Sequence, residues 1–385
     1  MPAAADVEWG QTHGSDPIRR ASVVAGLAVG GCLTWNVSNA GAVADPLASA
    51  YGVSVAAIGL LTTALFLTHL AVQLPAGRGA DRFGAQSVAL VAIGAVIVGN
   101  GVLLVDDSFS VALLGRAIVG IGSGAGFVAG LDLVRAGGGG SVLQGVYGGA
   151  TMAGGGLALM VVPPLTEATG WRAAYWSAAA LALAAAIPTL AARGLPRIGH
   201  AGRWVLRDPH LLPLGVLQAA TFGLAIVAGN WVVPLLERQS ASATAAGLAG
   251  GLILFIGIVT RPAGGVLARR ERRRELVAVS LVGTASGSAL LALGGPFALS
   301  VLGALVMGLA AGLPFAVIFA AAQRARPDAP AAAVALVNAC GILTILVGTP
   351  LAGLTFELPS DGRLAFAVIA ALSGLALLAL RTARL

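Results

Sequence analysis

The sequence predicts an all-α membrane protein in which twelve transmembrane helices form two pseudo-symmetric bundles of six. Of the 385 residues, 57% are hydrophobic and 10% are charged, and the mean hydropathy is +0.91. Soluble domains have roughly 45–50% apolar and 25% charged residues. The 55 glycines and the aromatic content of 5% are typical of helices that pack through small residues in lipid. These values argue against a soluble enzyme.

Twelve apolar runs are long enough to cross a bilayer. A hydrocarbon core of about 30 Å requires about 20 apolar residues per helix, and charges, prolines or glycine-rich turns separate the runs. The predicted spans are 21–43, 54–76, 85–105, 109–133, 143–165, 173–192, 211–236, 246–268, 276–294, 297–320, 331–354 and 364–380.

The boundaries follow in chain order. Two arginines precede the first span, proline and glycine end the second, two aspartates end the third, and a glycine run follows the fourth. Gly170 separates the fifth span from the sixth, and a hydrophilic stretch separates the sixth from the seventh. Acidic, basic or Gly-Pro segments separate the remaining spans.

The distribution of arginine predicts the orientation, because cytoplasmic loops of membrane proteins are enriched in basic residues. The loops on the side of the two termini hold 18 arginines, and the opposite loops hold only Arg172, Arg238 and Arg363. We therefore expect an integral protein of the cytoplasmic (inner) membrane with both termini in the cytoplasm. The predicted parts are a cytoplasmic tail (1–20), a first bundle (21–192), a cytoplasmic linker (193–210) and a second bundle (211–385).

An internal repeat supports the two-bundle architecture. Three groups of residues recur after 187, 188 and 191 positions, close to half the length of the chain. Such nearly constant offsets indicate a tandem duplication. The matching groups are Pro75-Ala76-Gly77 with Pro262-Ala263-Gly264, Gly120, Gly124 and Phe127 with Gly308, Gly312 and Phe315, and Arg172 with Arg363.

Several functional classes find no support in the sequence. The arginines lie between apolar runs and form no separate basic domain, so we expect no nucleic-acid partner. Cys32 and Cys340 have no metal-ligand or redox spacing, so we expect neither a metal nor another cofactor. The sequence has no hydrolase motif and no P-loop, so we expect neither a catalytic residue nor an enzyme.

The segment between the second and third spans resembles a motif of the major facilitator superfamily of secondary transporters. The family carries Gly, three residues, Asp, Arg, any residue and Gly, and residues 77–84 read Gly-Arg-Gly-Ala-Asp-Arg-Phe-Gly. The resemblance covers about residues 20–382. It implies a gating cluster on the cytoplasmic side that consists of Gly77, Asp81, Arg82 and Gly84, completed by Asp132 and Arg135. The alternative is that these charges only set the topology.

The resemblance is incomplete in two places. Ala268 occupies the second-half position that corresponds to Asp81, so we expect the second gate to be the weaker one. Efflux members often carry Gly-Pro followed by Gly-Gly in the fifth helix, whereas residues 149–156 contain no proline. Uptake is therefore favoured over drug/proton antiport.

Two arginines inside or beside the spans are candidates for binding a substrate. An unpaired arginine within a bilayer is costly, so Arg116 is expected to face the bundle interior and to meet a substrate, a gate residue or a structural partner. Arg261 resembles an arginine that holds the anion in nitrate and nitrite transporters of the superfamily. The second arginine of those transporters corresponds to Gln73, which argues against a nitrate-type site.

His69 is the best candidate for proton coupling because it is the only histidine within a span. It lies on one helix face with Gln73, and both are candidates for substrate contact. A buried neutral histidine is the alternative. Asp45, at the outer end of the first span, is the second coupling candidate.

Polar and aromatic residues in related helices suggest a substrate wall. Interhelical hydrogen bonding without substrate contact is the alternative. The candidates are Trp35, Asn36 and Asn39 in the first span, Asn230 and Trp231 in the seventh, and Asn338 in the eleventh.

Together these observations predict a secondary transporter that moves a small anionic or neutral-polar solute by alternating access, with protons as a possible second partner. The alternatives are proton-driven efflux of drugs or metabolites, and a non-transporting sensor or scaffold built on the same fold. One chain is expected to be functional as a monomer.

Overall fold

The computed structural model describes residues 17–138, 140–192, 205–270 and 272–385. Most of the predicted tail (1–16) and most of the predicted linker (193–204) lie outside these residues. The regular structure of the described residues is entirely helical.

Six long helices form the first half of the chain. A turn at Gly41–Val43 and a short helix at Ala44–Tyr51 connect the first helix to the second. The six are α1 (Pro17–Ser38), α2 (Val55–Phe83), α3 (Ala85–Val105), α4 (Phe109–Ala136), α5 (Ser141–Thr169) and α6 (Ala173–Ala191).

Six further helices form the second half. They are α7 (Leu211–Arg238), α8 (Ala243–Leu267), α9 (Arg273–Leu293), α10 (Phe297–Ala325), α11 (Pro330–Leu354) and α12 (Arg363–Arg381). Three of them are irregular: α7 contains a π-helical turn at Ala219–Gly223, α10 is interrupted between Gly312 and Phe315, and α12 ends as a 3-10 helix at Ala376–Arg381.

The twelve predicted helices are confirmed. Each is long and apolar enough to cross a membrane, and the chain is an integral membrane protein. Many large apolar side chains on the outer helices are exposed, among them Val91 on α3, Ile187 on α6 and Val279 on α9. In water such surfaces would be unfavourable, but in a bilayer they face lipid.

Two predicted boundaries are wrong. The first span was expected to reach residue 43, but α1 ends at Ser38, where the Asn39 side chain accepts a hydrogen bond from the Ala40 N–H and competes with the helix. The second span was expected to end at residue 76. Instead α2 continues through Pro75 to Phe83, so most of the motif is helical and only Gly84, with a φ of +91°, forms the turn.

Successive helices run in opposite directions, so the molecule has two faces. We call the face at which α2 ends and α11 begins the motif face, and the other one the opposite face. The two halves pack against each other through α2 with α11 and through α5 with α8. Glycines make both contacts close: a Cβ on Gly77 would lie 2.8 Å from the Ala331 carbonyl oxygen, and one on Gly265 would lie 2.3 Å from that of Ser141.

Candidate functional site

Arg116 is completely buried inside the first half. Its Nη2 donates to the Asn36 carbonyl oxygen over 2.8 Å and its Nη1 to Asn39 Oδ1 over 3.2 Å. Its Nε lies 3.5 Å from the Leu61 carbonyl oxygen. These contacts connect α4 to α1 and α2, so in this conformation the geometry supports the structural alternative rather than substrate contact.

The three residues predicted as a substrate wall on α1 form hydrogen bonds within the first half. Trp35 donates to Ser177 on α6, and the Asn39 amide donates to the Ala174 carbonyl oxygen on the same helix. Asn36 accepts a hydrogen bond from Asn100 on α3. All three side chains point into the first half, because each one completes a hydrogen bond that the apolar interior would otherwise leave unmade.

Asn230 and Trp231, the corresponding pair on α7, also form their hydrogen bonds within their own half. Asn230 donates to the Thr349 hydroxyl and the Trp231 indole N–H donates to the Thr349 carbonyl oxygen on α11. The Trp231 ring packs on Phe356 with centroids 4.9 Å apart. The residues on α1 and those on α7 therefore have different hydrogen-bond partners.

His69 lies between α2 and α4 as the centre of a hydrogen-bonded group. Its Nδ1 is 2.8 Å from Ser123 Oγ and its Nε2 is 2.8 Å from Gln73 Nε2. Since Ser123 also donates to the Gly120 carbonyl oxygen, the group is consistent with a neutral ring that donates from Nδ1 and accepts at Nε2. Within the described part of the chain, the buried Gln73 Oε1 has no hydrogen-bond partner.

Asn338 is buried on α11 and makes no hydrogen bond to a described residue. Gly77 packs against Ala335, and α2 and α11 are antiparallel. One further turn on each helix therefore places Gln73 and Asn338 at the same level of the contact between the halves.

Arg261 lies at the contact between the halves and is 5% exposed. Its Nη1 donates to the Gly148 carbonyl oxygen over 3.1 Å and to Thr151 Oγ1 over 3.0 Å, both on α5. Its Cζ lies 4.5 Å from the ring centre of Phe315 and 5.5 Å from that of Phe222. Among the described residues, no carboxylate forms an ion pair with Arg261.

A small cavity of about 20 Å³ lies beside Arg261, enough for one water molecule. Its walls come from both halves and include Met152 on α5, Thr221 and Phe222 in the π-helical turn of α7, and Ala311 on α10. The sequence reasoning did not identify these residues, because π-helical turns have no clear sequence pattern. Besides Arg261, the only lining residue that the sequence analysis names is Gly312, as the repeat of Gly124.

Asp81 joins the two halves at the motif face. Its carboxylate is buried, and it accepts hydrogen bonds of 3.0 Å from the backbone N–H groups of both Ala331 and Ala332. These are free donors at the beginning of α11, where the helix dipole also favours a negative charge. Asp81 itself lies in the last turn of α2 and not between the second and third helices, where the sequence placed the motif.

The other predicted gate residues have separate positions. Asp132 and Arg135 form an ion pair of 2.6 Å within α4, and their charges act on Asp81 without a direct hydrogen bond. Arg82 is exposed over the ring of Phe83. Asp45 is also exposed, in the short helix after α1.

The second contact between the halves joins α5 to α8 through hydrogen bonds that involve no carboxylate. Ser141 Oγ donates to the Gly265 carbonyl oxygen, and a Cβ on Gly145 would lie 2.4 Å from the Arg261 carbonyl oxygen. Gln144 on α5 also donates to Gln323 on α10. Every hydrogen bond between the halves of the described chain lies between its middle and the motif face, which is therefore closed.

Comparison with known proteins agrees with this architecture. The family model of the Major Facilitator Superfamily matches residues 26–209 and 212–384. No curated protein matches the sequence. No group of three or more potential metal ligands occurs among the residues described above.

Several solved structures have the same fold. The human organic anion transporter MFSD10 (TETRAN) has a TM-score of 0.76 and 17% identity, with 95% of this chain and 100% of that chain covered. The fucose:proton symporter FucP of E. coli has a TM-score of 0.71 and 12% identity, with 95% and 99% covered. The proton:xylose symporter XylE has a TM-score of 0.76 and 12% identity, with 94% of each chain covered.

The family match extends over nearly the whole chain, and the twelve helices, their two halves and the closely packed motif agree with it. This protein belongs to the Major Facilitator Superfamily.

Proposed function

We propose that this protein is a secondary transporter that moves a small anionic solute by alternating access. The bundles 21–192 and 211–380 would rock about a site near the middle of the membrane. The observation that carries the anionic preference is Arg261, a buried cation at the contact between the halves without a carboxylate partner among the described residues.

Electrostatics gives the reason. A buried guanidinium without a counter-charge retains a large desolvation cost, which an anion can reduce when it binds in the same low-dielectric space. The two acceptors on α5 satisfy Nη1 only. The aromatic rings of Phe222 and Phe315 offer a weaker compensation. An anion therefore gains more from Arg261 than a neutral solute or a cation does.

We further propose that His69 couples transport to protons. A protonated ring can donate from Nδ1 to Ser123, and a 180° turn of the Gln73 amide would bring the unpaired Oε1 to His69 Nε2. The charged residues nearest along the two packed helices are Arg116, two turns from Ser123, and Arg78, about two and a half turns from His69. The network thus accommodates both protonation states of His69.

The orientation is part of the same proposal. The arginine distribution supports a cytoplasmic motif face, cytoplasmic termini and a cytoplasmic linker at 193–210, in the cytoplasmic membrane. Both halves of the fold lie in one chain, which supports a functional monomer. Solved neighbours include an organic anion transporter and two sugar symporters, so the fold itself is compatible with either type of solute.

A ligand screen tests the anionic preference. The thermal stability of the purified protein is measured with small organic and inorganic anions, neutral solutes and lipophilic cations. We expect stabilisation by anions that is lost in Arg261→Gln and retained in Arg274→Gln, which removes an exposed arginine of the motif face. Stabilisation by lipophilic cations in both variants would contradict the proposal and support an exporter. No response to any compound would support a sensor or scaffold.

A further inference from the structure

We infer that the solute bound at Arg261 is a monocarboxylate with an apolar body. This inference rests on the proposed anion site and specifies its substrate class. It comes from the number of hydrogen-bond donors that remain available in the site and from the chemistry of the walls.

The donors of Arg261 are only partly used. Nη1 has two N–H groups, and its two hydrogen bonds to Gly148 and Thr151 occupy both. Nε and Nη2 make no hydrogen bond to any described residue, and Arg261 lines the cavity. The side of the guanidinium that carries Nε and Nη2 is a fork, which matches the two oxygens of one carboxylate.

Three hydroxyl groups near this fork donate elsewhere. The Thr151 hydroxyl donates to the Gly148 carbonyl oxygen over 2.7 Å, and the Thr221 hydroxyl donates to the Leu217 carbonyl oxygen over 2.8 Å. The Tyr147 hydroxyl donates to the Phe127 carbonyl oxygen. A phosphate or sulfate would bring a second charge for which the cavity lining has no second cation, so one carboxylate is the better match.

The rest of the solute meets an apolar surface. Apart from Arg261 and Thr221, the cavity is lined by Met152, Phe222, Ala225, Ile226 and Ala311, together with two glycines. Met152 is the only one of these residues that belongs to the first half. Met152 has an unbranched, flexible side chain, so its withdrawal enlarges the space beside the fork without removing the α5 acceptors from Nη1, which admits an aliphatic or aromatic body behind the carboxylate.

Titration of the intact purified protein with sodium salts tests the inference. The probes are acetate, butyrate, hexanoate and benzoate, compared with succinate, phosphate, sulfate and nitrate. We expect the dissociation constant to fall about fourfold for each added CH₂ that becomes buried. Ile226→Thr should reduce this gain per CH₂, and Met152→Ala should extend it to longer chains.

Substitutions at the fork separate charge from geometry. Arg261→Lys keeps the charge but loses the fork, so hexanoate should bind about tenfold more weakly, and Arg261→Gln should abolish its binding. Arg274→Gln is the matched control and should leave the affinity unchanged. Should either Arg261 variant fail to fold, the chain-length series and the Ile226 and Met152 variants still decide the question.

The results also separate the inference from the proposed function. Binding of phosphate, sulfate, succinate or nitrate that depends on Arg261 and is tighter than that of hexanoate would overturn the monocarboxylate inference and leave the anion site intact. An affinity that does not depend on chain length would overturn it as well. If no anion binds in a manner that depends on Arg261, both the inference and the proposed function are wrong.

Discussion

Replacement of Asp81 by asparagine should destabilise the closed motif face. The Asp81 carboxylate accepts two backbone hydrogen bonds of 3.0 Å from the beginning of α11, and Asp81 is only 4% exposed. Asparagine retains one acceptor oxygen but presents an NH₂ group to the second N–H donor. The loss of one charge-assisted hydrogen bond and of the favourable helix-dipole interaction corresponds to about 2–3 kcal/mol. The equilibrium between the closed and open motif face should therefore shift about 30- to 150-fold.

Pulsed electron paramagnetic resonance measures this equilibrium. In a background with Cys32→Ala and Cys340→Ala, spin labels on cysteines introduced at Asp106 and Pro359 report the distance between the halves at the opposite face, which should become shorter as the motif face opens. Asp132→Asn is the matched control, because Asp132 is 5% exposed, lies on the same face and pairs within its own helix. An equal shift in both variants, or a shift of less than threefold in Asp81→Asn, would refute the capping argument.

Three further predictions concern packing, stability and pH. Gly265→Val should prevent close contact of α5 and α8, since its Cβ would lie 2.3 Å from the Ser141 carbonyl oxygen, whereas Gly94→Ala, where no atom lies within 4 Å, should leave the same distance distribution unchanged. Arg116→Gln should lower the free energy of unfolding by about 3 kcal/mol, because buried acceptors on α1 and α2 lose their donors, and it should not change the anion affinity of the folded protein; an unchanged unfolding curve would contradict this. The Arg326 guanidinium, which is hydrogen-bonded to Asp328, holds the pKa of that carboxyl below its usual range, so the pair stabilises the folded state above about pH 4 and this contribution is lost as the pH falls through the lowered pKa. The effect should be at most about 1 kcal/mol for this exposed pair and should be absent in Arg326→Gln when unfolding is followed from pH 6 to pH 3.

The helices and the family were predictable because both depend on local sequence. Bilayer thickness sets the length of each apolar run, and the motif at residues 77–84 is contiguous. The partners of polar side chains were not predictable in the same way. Arg116 and Arg261 are both buried and have no carboxylate partner among the described residues, yet Arg116 is enclosed within one half and Arg261 lies between the two.

The difference between these two arginines is decided by tertiary packing. Helix periodicity places Arg116 on a face of α4, but only the arrangement of α1 and α2 shows that this face points into the first half. The walls of the Arg261 cavity depend on a π-helical turn in α7 and on the approach of α5, and the wall residues Met152 and Thr221 on these elements are 69 positions apart in the chain. Asp81 likewise meets residues 250 and 251 positions away.

The two contacts between the halves differ in their chemistry, and this bears on the rocking motion that we propose. At the contact of α2 with α11, the buried Asp81 carboxylate accepts hydrogen bonds from the beginning of α11. Water, a proton or a cation that enters this contact can compete for the carboxylate and break these hydrogen bonds. At the motif-face end of α5 and α8, glycine-lined backbones lie against each other with an uncharged hydrogen bond, whereas the charged hydrogen bonds of Arg261 lie further along the same contact. We therefore expect the α2–α11 contact to respond most strongly to the ionic conditions in the compartment next to the motif face.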